Sequence, residues 1–333
     1  MNIIIPMAGM GKRMRPHTLT IPKPLIPVAG KPIVEHLLED LMKVCPEKVE
    51  EIAYVTGRFG KEVEDKLITI AQSLGARAGI YYQDNPLGTA HAILCARAAL
   101  KGPVMIAFAD TLFRTDAIID TGSDGTIWVK SIDDPRQFGV VTIDHNNIIT
   151  GFVEKPDSFI SDLAIIGIYF FRDGENLSAE LQYLIDHDIK DKGEYQLTSA
   201  MENMKNKGKR FVPGRVAEWL DCGNKDATVF TNRRLLELKY PAGKVDASAQ
   251  IIDSVILHPC FIGRQVRIEH SVIGPFVSVG AASQIISSRI RNSILQNYTV
   301  IESAVMDNSM IGSHVNFKGK WQDLNLGDYS TQS

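Results

Sequence analysis

From Val245 to Phe317 the chain repeats a short aliphatic spacing that few folds can accommodate. Ile262, Ile268, Ile273, Val279, Ile285, Ile294, Val300, Ile311 and Phe317 are mostly six residues apart, with larger gaps at apparent corners. Ile262-Gly263-Arg264-Gln265-Val266, Ile273-Gly274-Pro275-Phe276-Val277 and Ile311-Gly312-Ser313-His314-Val315 echo one another. Such a period is a β-helix signature, in which each short strand stacks one aliphatic side chain on the coil below. An irregular β-sandwich is the competing reading, but its strands would alternate over longer runs.

Up to about residue 240 the pattern is different. Short apolar runs alternate with helix-like stretches, as expected for a parallel sheet flanked by helices. The strands are expected at Asn2–Pro6, Glu51–Thr56, Ile80–Gln83, Val104–Ala109 and Thr126–Lys130. Helices are expected from about Pro32, from Gly88-Thr89 into Ala90–Leu100, and over Leu177–Asp186 and Tyr195–Lys207. The boundary is placed so that residues 1–242 form one domain and residues 243–333 form the repeat domain with its tail.

Composition narrows the function classes. The 333 residues carry 36 basic and 39 acidic side chains mixed along the chain, a formal charge of −3, so no global field favours nucleic acid or an anionic membrane. Polyanion binding must therefore be local. Cys45, Cys95, Cys222 and Cys260 are far apart with no CxxC pair, which speaks against a zinc ribbon or a disulfide framework and fits free thiols in a reducing compartment. The apolar run Met1–Met7 is too short for a signal peptide core, and nothing reaches membrane-spanning length, so a cytoplasmic location is expected.

The first chemically informative segment follows the first strand: Ala8-Gly9-Met10-Gly11-Lys12-Arg13-Met14-Arg15-Pro16, then Thr18 and Pro22-Lys23-Pro24-Leu25. Glycines after a strand let backbone N–H groups approach phosphate oxygens, and Arg13, Arg15 and Lys23 can add charge-assisted bonds. The segment lacks the third glycine of a dinucleotide fingerprint and the GKS or GKT of a P-loop. A carboxylate, Asp110, closes the apolar run Val104–Ala109, at the carboxyl end of a buried strand where open α/β sheets bind ligands.

That opening segment, with Gln83, Pro86-Leu87-Gly88-Thr89-Ala90-His91-Ala92, Ala109-Asp110, Glu154-Lys155-Pro156 and Trp219-Leu220-Asp221-Cys222-Gly223, resembles the sugar-1-phosphate nucleotidyltransferases in order and spacing. The resemblance spans nearly the whole chain and points to the glucose-1-phosphate thymidylyltransferase branch. It implies a Rossmann-like catalytic domain followed by a short left-handed parallel β-helix. The implied reaction joins a nucleoside triphosphate, dTTP in the first place, to a sugar-1-phosphate, glucose-1-phosphate in the first place, and releases pyrophosphate. The loop between Ala8 and Gly11 is one residue shorter than in most members, and Ala109 stands where many have glycine.

By this resemblance Arg13 and Lys23 hold the triphosphate, with Ala8, Gly9, Gly11 and Thr89 around the nucleotide. Gln83 offers a donor and an acceptor to a pyrimidine edge, and Gly88 leaves room for the base. Asp110 and Asp221 are the implied ligands of Mg2+, and Lys155 grips the sugar phosphate while Glu154 holds the sugar ring. Gly139, Tyr169 and Glu194 complete the implied sugar pocket. No catalytic base is needed, because the attacking phosphate oxygen is already ionised near neutral pH.

Three other readings remain open at this point. The acceptor reaction can be uridylyl transfer, with UTP and glucose-1-phosphate or N-acetylglucosamine-1-phosphate. The chain can be a noncatalytic regulatory subunit, against which stands the full charged set Arg13, Lys23, Asp110, Lys155 and Asp221. The repeats can form an acyltransferase, but about four coils with lone histidines at 258, 270 and 314 fit an assembly module better, and a homo-oligomer through this domain is expected. Residues 323–333 lack periodicity and are assigned no role.

Overall fold

The computed structural model describes residues 1–9, 11–115, 119 and 121–320 and divides into two compact units. One comprises Met1–Ile26 with Pro32–Gly223, and the other Pro27–Lys31 with the chain from Asn224 onward. The tail from residue 323 lies outside the described residues.

The first unit is built on one mixed sheet. Its strands are β1 (Asn2–Pro6), β2 (Glu51–Thr56), β3 (Arg77–Tyr82), β4 (Val104–Ala107), β6 (Gly125–Ser131), β7 (Val140–Ile143), β8 (Ile149–Val153), β9 (Leu163–Phe171) and β10 (Phe211–Arg215). A separate antiparallel pair joins β5 (Thr111–Arg114) to β11 (Glu218–Asp221). The main order is β8-β7-β9-β4-β1-β2-β3, with β6 paired to β9 and β10. Around β1 the pairings to β2 and β4, and from β2 to β3, are parallel. The crossovers carry α1 (Ile33–Val44), α2 (Lys61–Ser73) and α3 (Thr89–Cys95). Strands β1, β2 and β4 are buried on both faces, so they read as continuous apolar runs rather than alternating ones.

Beyond β4 the sheet turns antiparallel, through β9 against β4, β6 and β7, and β7 against β8. The expected mostly parallel sheet is thus parallel around β1 and again where β10 pairs with β6, with antiparallel pairings between. Helices α4 (Gly174–Asp186) and α5 (Leu197–Asn206) contribute Leu177, Leu181, Leu184, Leu197, Met201 and Met204 to a core shared with Ile4, Ile106, Phe152, Phe171 and Phe211. Asp173 starts α4 by accepting a hydrogen bond from the Asn176 amide at 2.8 Å. The chain leaves β1 toward β2 and later returns to lay β4 on its other side. That reversal opens a crevice at the carboxyl ends of β1 and β4, the usual ligand position in such sheets.

The second unit is the short left-handed parallel β-helix, preceded by α6 (Lys225–Lys239). Three parallel sheets form its faces, with five, five and four strands among the described residues. Successive coils are in register at Arg267, Gln284, Val300 and Asn316, so each coil takes sixteen or seventeen residues. Ile268, Ile285 and Ile301 stack in one column, Ile262, Val279 and Leu295 in another, and Ile273 and Ile290 in the third, all at most 1% exposed. The corners use left-handed backbone, as at Ala282 (φ 55°), Ser287 (φ 47°) and Tyr298 (φ 57°). At one corner serines form a chain: Ser288 N–H donates to Ser271 Oγ, and Ala304 N–H to Ser288 Oγ, each at 3.0 Å.

The coils start at Lys244, next to the expected boundary at 243, while the compact unit takes in α6 as well. Buried Asn232 on α6 explains this. Its Oδ1 accepts from the Ala29 amide (2.8 Å) and from Ser278 Oγ (2.7 Å), fastening helix, loop and coil together. None of the four cysteines is in a disulfide, and among the described residues no helix is long and apolar enough to cross a membrane.

Candidate functional site

The crevice at the ends of β1 and β4 is a cavity of about 300 Å³ in the first unit. Its lining brings together Ala8, Gly9, Gly11, Lys23, Gln83, Gly88, Thr89, Asp110 and Glu194, residues drawn from six separate stretches of sequence. The loop after β1 is closed on itself by Thr18 Oγ1, which donates to the Gly11 carbonyl at 2.9 Å. A turn of 3₁₀ helix at Lys23–Leu25 then places Lys23 in an ion pair with Asp110.

The second expected carboxylate converges on the first through the β5–β11 pair. Asp221 is the register partner of Thr111, and the Cys222 amide donates to the Asp110 carbonyl at 3.0 Å. Burial, and then the negative charge of Asp110, push the Asp221 carboxyl above its ordinary pKa, opposed by a bond from the Gly223 amide and by the charges of Lys23 and Arg13. Two neighbouring carboxylates with the cations Lys23 and Arg13 alongside form a site suited to a divalent ion and phosphate oxygens.

At the other end of the lining, Gln83 follows directly on β3. Its Nε2 donates to the Gly88 carbonyl (3.2 Å) and lies 3.0 Å from His91 Nδ1. Gly88 has φ +119°, and a Cβ there would lie 2.7 Å from the Tyr195 amide nitrogen. The glycine is thus required by the backbone of residue 195. The same close approach is fixed by Ala90 N–H to the Tyr195 carbonyl, Tyr195 N–H to the Leu87 carbonyl, and Thr89 Oγ1 to Gln196 Oε1 at 3.1 Å.

The remaining expected residues form a neighbouring group that does not line this cavity. Glu154 Oε2 accepts from Thr198 Oγ1 at 3.2 Å, and a Cβ on Gly139 would stand 3.1 Å from the same oxygen. Lys155 adopts φ +41°, with its N–H on the Phe138 carbonyl, its Nζ 3.4 Å from Glu154 Oε1, and its own carbonyl accepting from Lys192 Nζ. Tyr169 is buried in the sheet, edge-on to Phe108, and burial followed by the charge of Glu154 pushes its hydroxyl pKa far up. Glu194 stands with Gln83 and Gly88 in the cavity lining rather than with Glu154. Sequence reasoning did not single out Thr198, Gln196, Lys192 or the role of His91, because each meets a partner that lies outside its own element, from eight to over a hundred residues away.

Residues 2–237 match the family model described as nucleotidyl transferase. The chain belongs to the nucleotidyl transferase family. Relatives within this nucleotidyl transferase group include a glucose-1-phosphate thymidylyltransferase of Streptomyces antibioticus, 29% identical over 99% of this chain and 98% of its own. A low-salt glycan biosynthesis nucleotidyltransferase of Haloferax volcanii is 26% identical over 99% of both chains. The bifunctional protein GlmU of Methanococcus vannielii is 28% identical over 95% of this chain and 79% of its own. Among solved structures, a UDP-glucose pyrophosphorylase of Acinetobacter superposes with TM-score 0.58 at 22% identity, covering 72% of this chain and 94% of that one, which shows the fold.

Proposed function

We propose that this nucleotidyl transferase moves a nucleotidyl group from dTTP or UTP to a sugar-1-phosphate, with glucose-1-phosphate the favoured acceptor. The observation that carries the reading is one cavity shared by the Gln83 amide and the Lys23–Asp110 pair, with Asp221 and Arg13 alongside. A base reader and a phosphate-and-metal cluster in one cavity are what a nucleoside triphosphate requires. The thymidylyltransferase from Streptomyces, matched along almost its whole length, supports thymine and glucose.

In this reaction a phosphate oxygen of the sugar-1-phosphate bonds to the α-phosphorus as the α–β bridging bond breaks, and pyrophosphate leaves with that electron pair. The nucleophile arrives ionised, so the protein's work is alignment and charge stabilisation. Lys23 and Arg13 neutralise the triphosphate and then the departing pyrophosphate. Lys155 holds the sugar phosphate, and Glu154, oriented by Thr198, holds the sugar ring. Asp110 and Asp221 would hold Mg2+, which supplies further positive charge to the phosphate oxygens.

Uracil and thymine present the same edge to Gln83 and differ by one methyl, worth about 1–3 kcal/mol in an apolar pocket. Use of both dTTP and UTP is therefore expected. The test is magnesium-dependent pyrophosphate release with each of the five common nucleoside triphosphates against a panel of sugar-1-phosphates. Release with dTTP or UTP supports the reading, and silence across the panel rejects it in favour of a noncatalytic subunit.

A further inference from the structure

We propose that His91 sets the base preference of this site by fixing the amide of Gln83, so that Gln83 presents only its Oε1 to the base. The inference rests on the nucleotidyl-transfer reading above and adds to it a residue outside the cavity lining.

The orientation of the amide follows from its partners. The Gly88 carbonyl can only accept, so the atom 3.2 Å from it is the nitrogen of Gln83. The second hydrogen of that nitrogen faces His91 Nδ1 at 3.0 Å. For Nδ1 to accept, the imidazole must be neutral with its proton on Nε2. Burial pushes the His91 pKa below its ordinary value, which favours that neutral ring. Both donors of Gln83 are then directed at protein acceptors, and Oε1 is what remains for a ligand.

An acceptor at that position discriminates between bases. Uracil, thymine and guanine carry a ring N–H next to a carbonyl and can donate to Oε1. Cytosine and adenine carry a ring nitrogen lone pair at the corresponding edge, and two acceptors facing each other are unfavourable. With Nδ1 removed, the amide is held by the Gly88 carbonyl alone, and the polarity of the reader is less well enforced. His91 acts through Gln83, as a positioning residue.

The test compares the full-length wild type with His91→Phe, which keeps a ring and removes the acceptor, and with His91→Asn, whose Oδ1 occupies the place of Nδ1 on the same Cγ. The readouts are kcat and KM for UTP, dTTP and CTP with the acceptor the wild type uses. Equilibrium binding of the same nucleotides is measured in parallel. In His91→Phe the preference for UTP and dTTP over CTP is expected to fall about three- to tenfold, mostly through KM, with kcat for UTP nearly unchanged. His91→Asn restores the preference. An unchanged preference in His91→Phe, in turnover and in binding, overturns the role of His91 while leaving nucleotidyl transfer intact. A wild type that prefers CTP or ATP overturns it as well. A wild type that neither turns over nor binds any nucleotide overturns the functional reading itself, and His91 with it. If His91→Phe fails to fold, as judged by its thermal melt, His91→Leu provides the same comparison.

Discussion

Lys23 and Asp110, both in the cavity lining, form an ion pair that joins the loop after β1 to the segment following β4. Each is the other's partner, and each is also the residue proposed to meet a ligand charge. Phosphate and a divalent ion together can satisfy both, by taking Lys23 and Asp110 respectively. Either ligand alone leaves one of them without its partner.

Asp110→Asn removes one charge from the carboxylate pair and the partner of Lys23. Turnover is expected to drop at least about 100-fold, with a rise in the magnesium concentration needed for half-maximal rate. Initial rates across a magnesium titration check this, and activity within a few-fold of wild type would rule out Asp110 as a ligand.

Gly88→Ala forces a Cβ toward the Tyr195 backbone at a residue with φ +119°. The strain is expected to cost about 1–3 kcal/mol, and displacement of the Gly88 carbonyl should loosen Gln83 and raise the nucleotide KM. A thermal melt and a KM measurement together separate the two effects.

Lys155 is held in left-handed backbone by Lys192, whose Nζ donates to the Lys155 carbonyl and lies 3.5 Å from Asp157. Lys192→Met is expected to raise the sugar-phosphate KM about tenfold while leaving the nucleotide KM alone. An equal change in both constants would show that Lys192 does not act through Lys155.

Asp124 ties three chain segments together, accepting from the Arg210 amide and from Arg172, both at 2.9 Å, with Lys209 nearby. Burial alone would raise its pKa, but the amide bond and the two cations outweigh it and hold the carboxyl below the usual carboxylate range. A folded-state pKa below the unfolded value means stabilisation that is present at neutral pH and lost as pH falls below about 4 through the folded value. Asp124→Asn should therefore lower the melting temperature at pH 7, and the deficit should shrink in acid. A constant deficit from pH 7 to pH 3 would contradict this.

Much of the first unit's parallel half was legible because a strand buried on both faces is written as an unbroken apolar run, and Asn2–Pro6 and Glu51–Thr56 were read to their ends. Strands β7, β8 and β9 gave a weaker signal: β7 and β8 are short, and Gly151 and Gly167 interrupt β8 and β9. Helix α2 is rich in charged residues and carries its apolar stripe on few positions, Val63, Leu67 and Ile70. In the site, Gln83, Lys23 and Asp110 could be anticipated from their motifs. The bond between Cys222 and Asp110, and the one between Thr89 and Gln196, could not, since nothing local in a sequence marks a partner a hundred residues away.

The β-helix also sets a rule for what lengths of chain it can gain or lose. Its left-handed corners, its inward aliphatic columns and the serine hydroxyls that link Ser271, Ser288 and Ala304 all recur at the interval of one coil. An insertion of a full coil of sixteen or seventeen residues renews every one of these contacts and lengthens the stack by one layer. An insertion of a few residues within a strand moves a corner residue into the column and an aliphatic one out to the corner. The permissible edits to this unit thus come in whole layers, or in loops at the corners, much as courses of brick can be added to a wall but not half-heights.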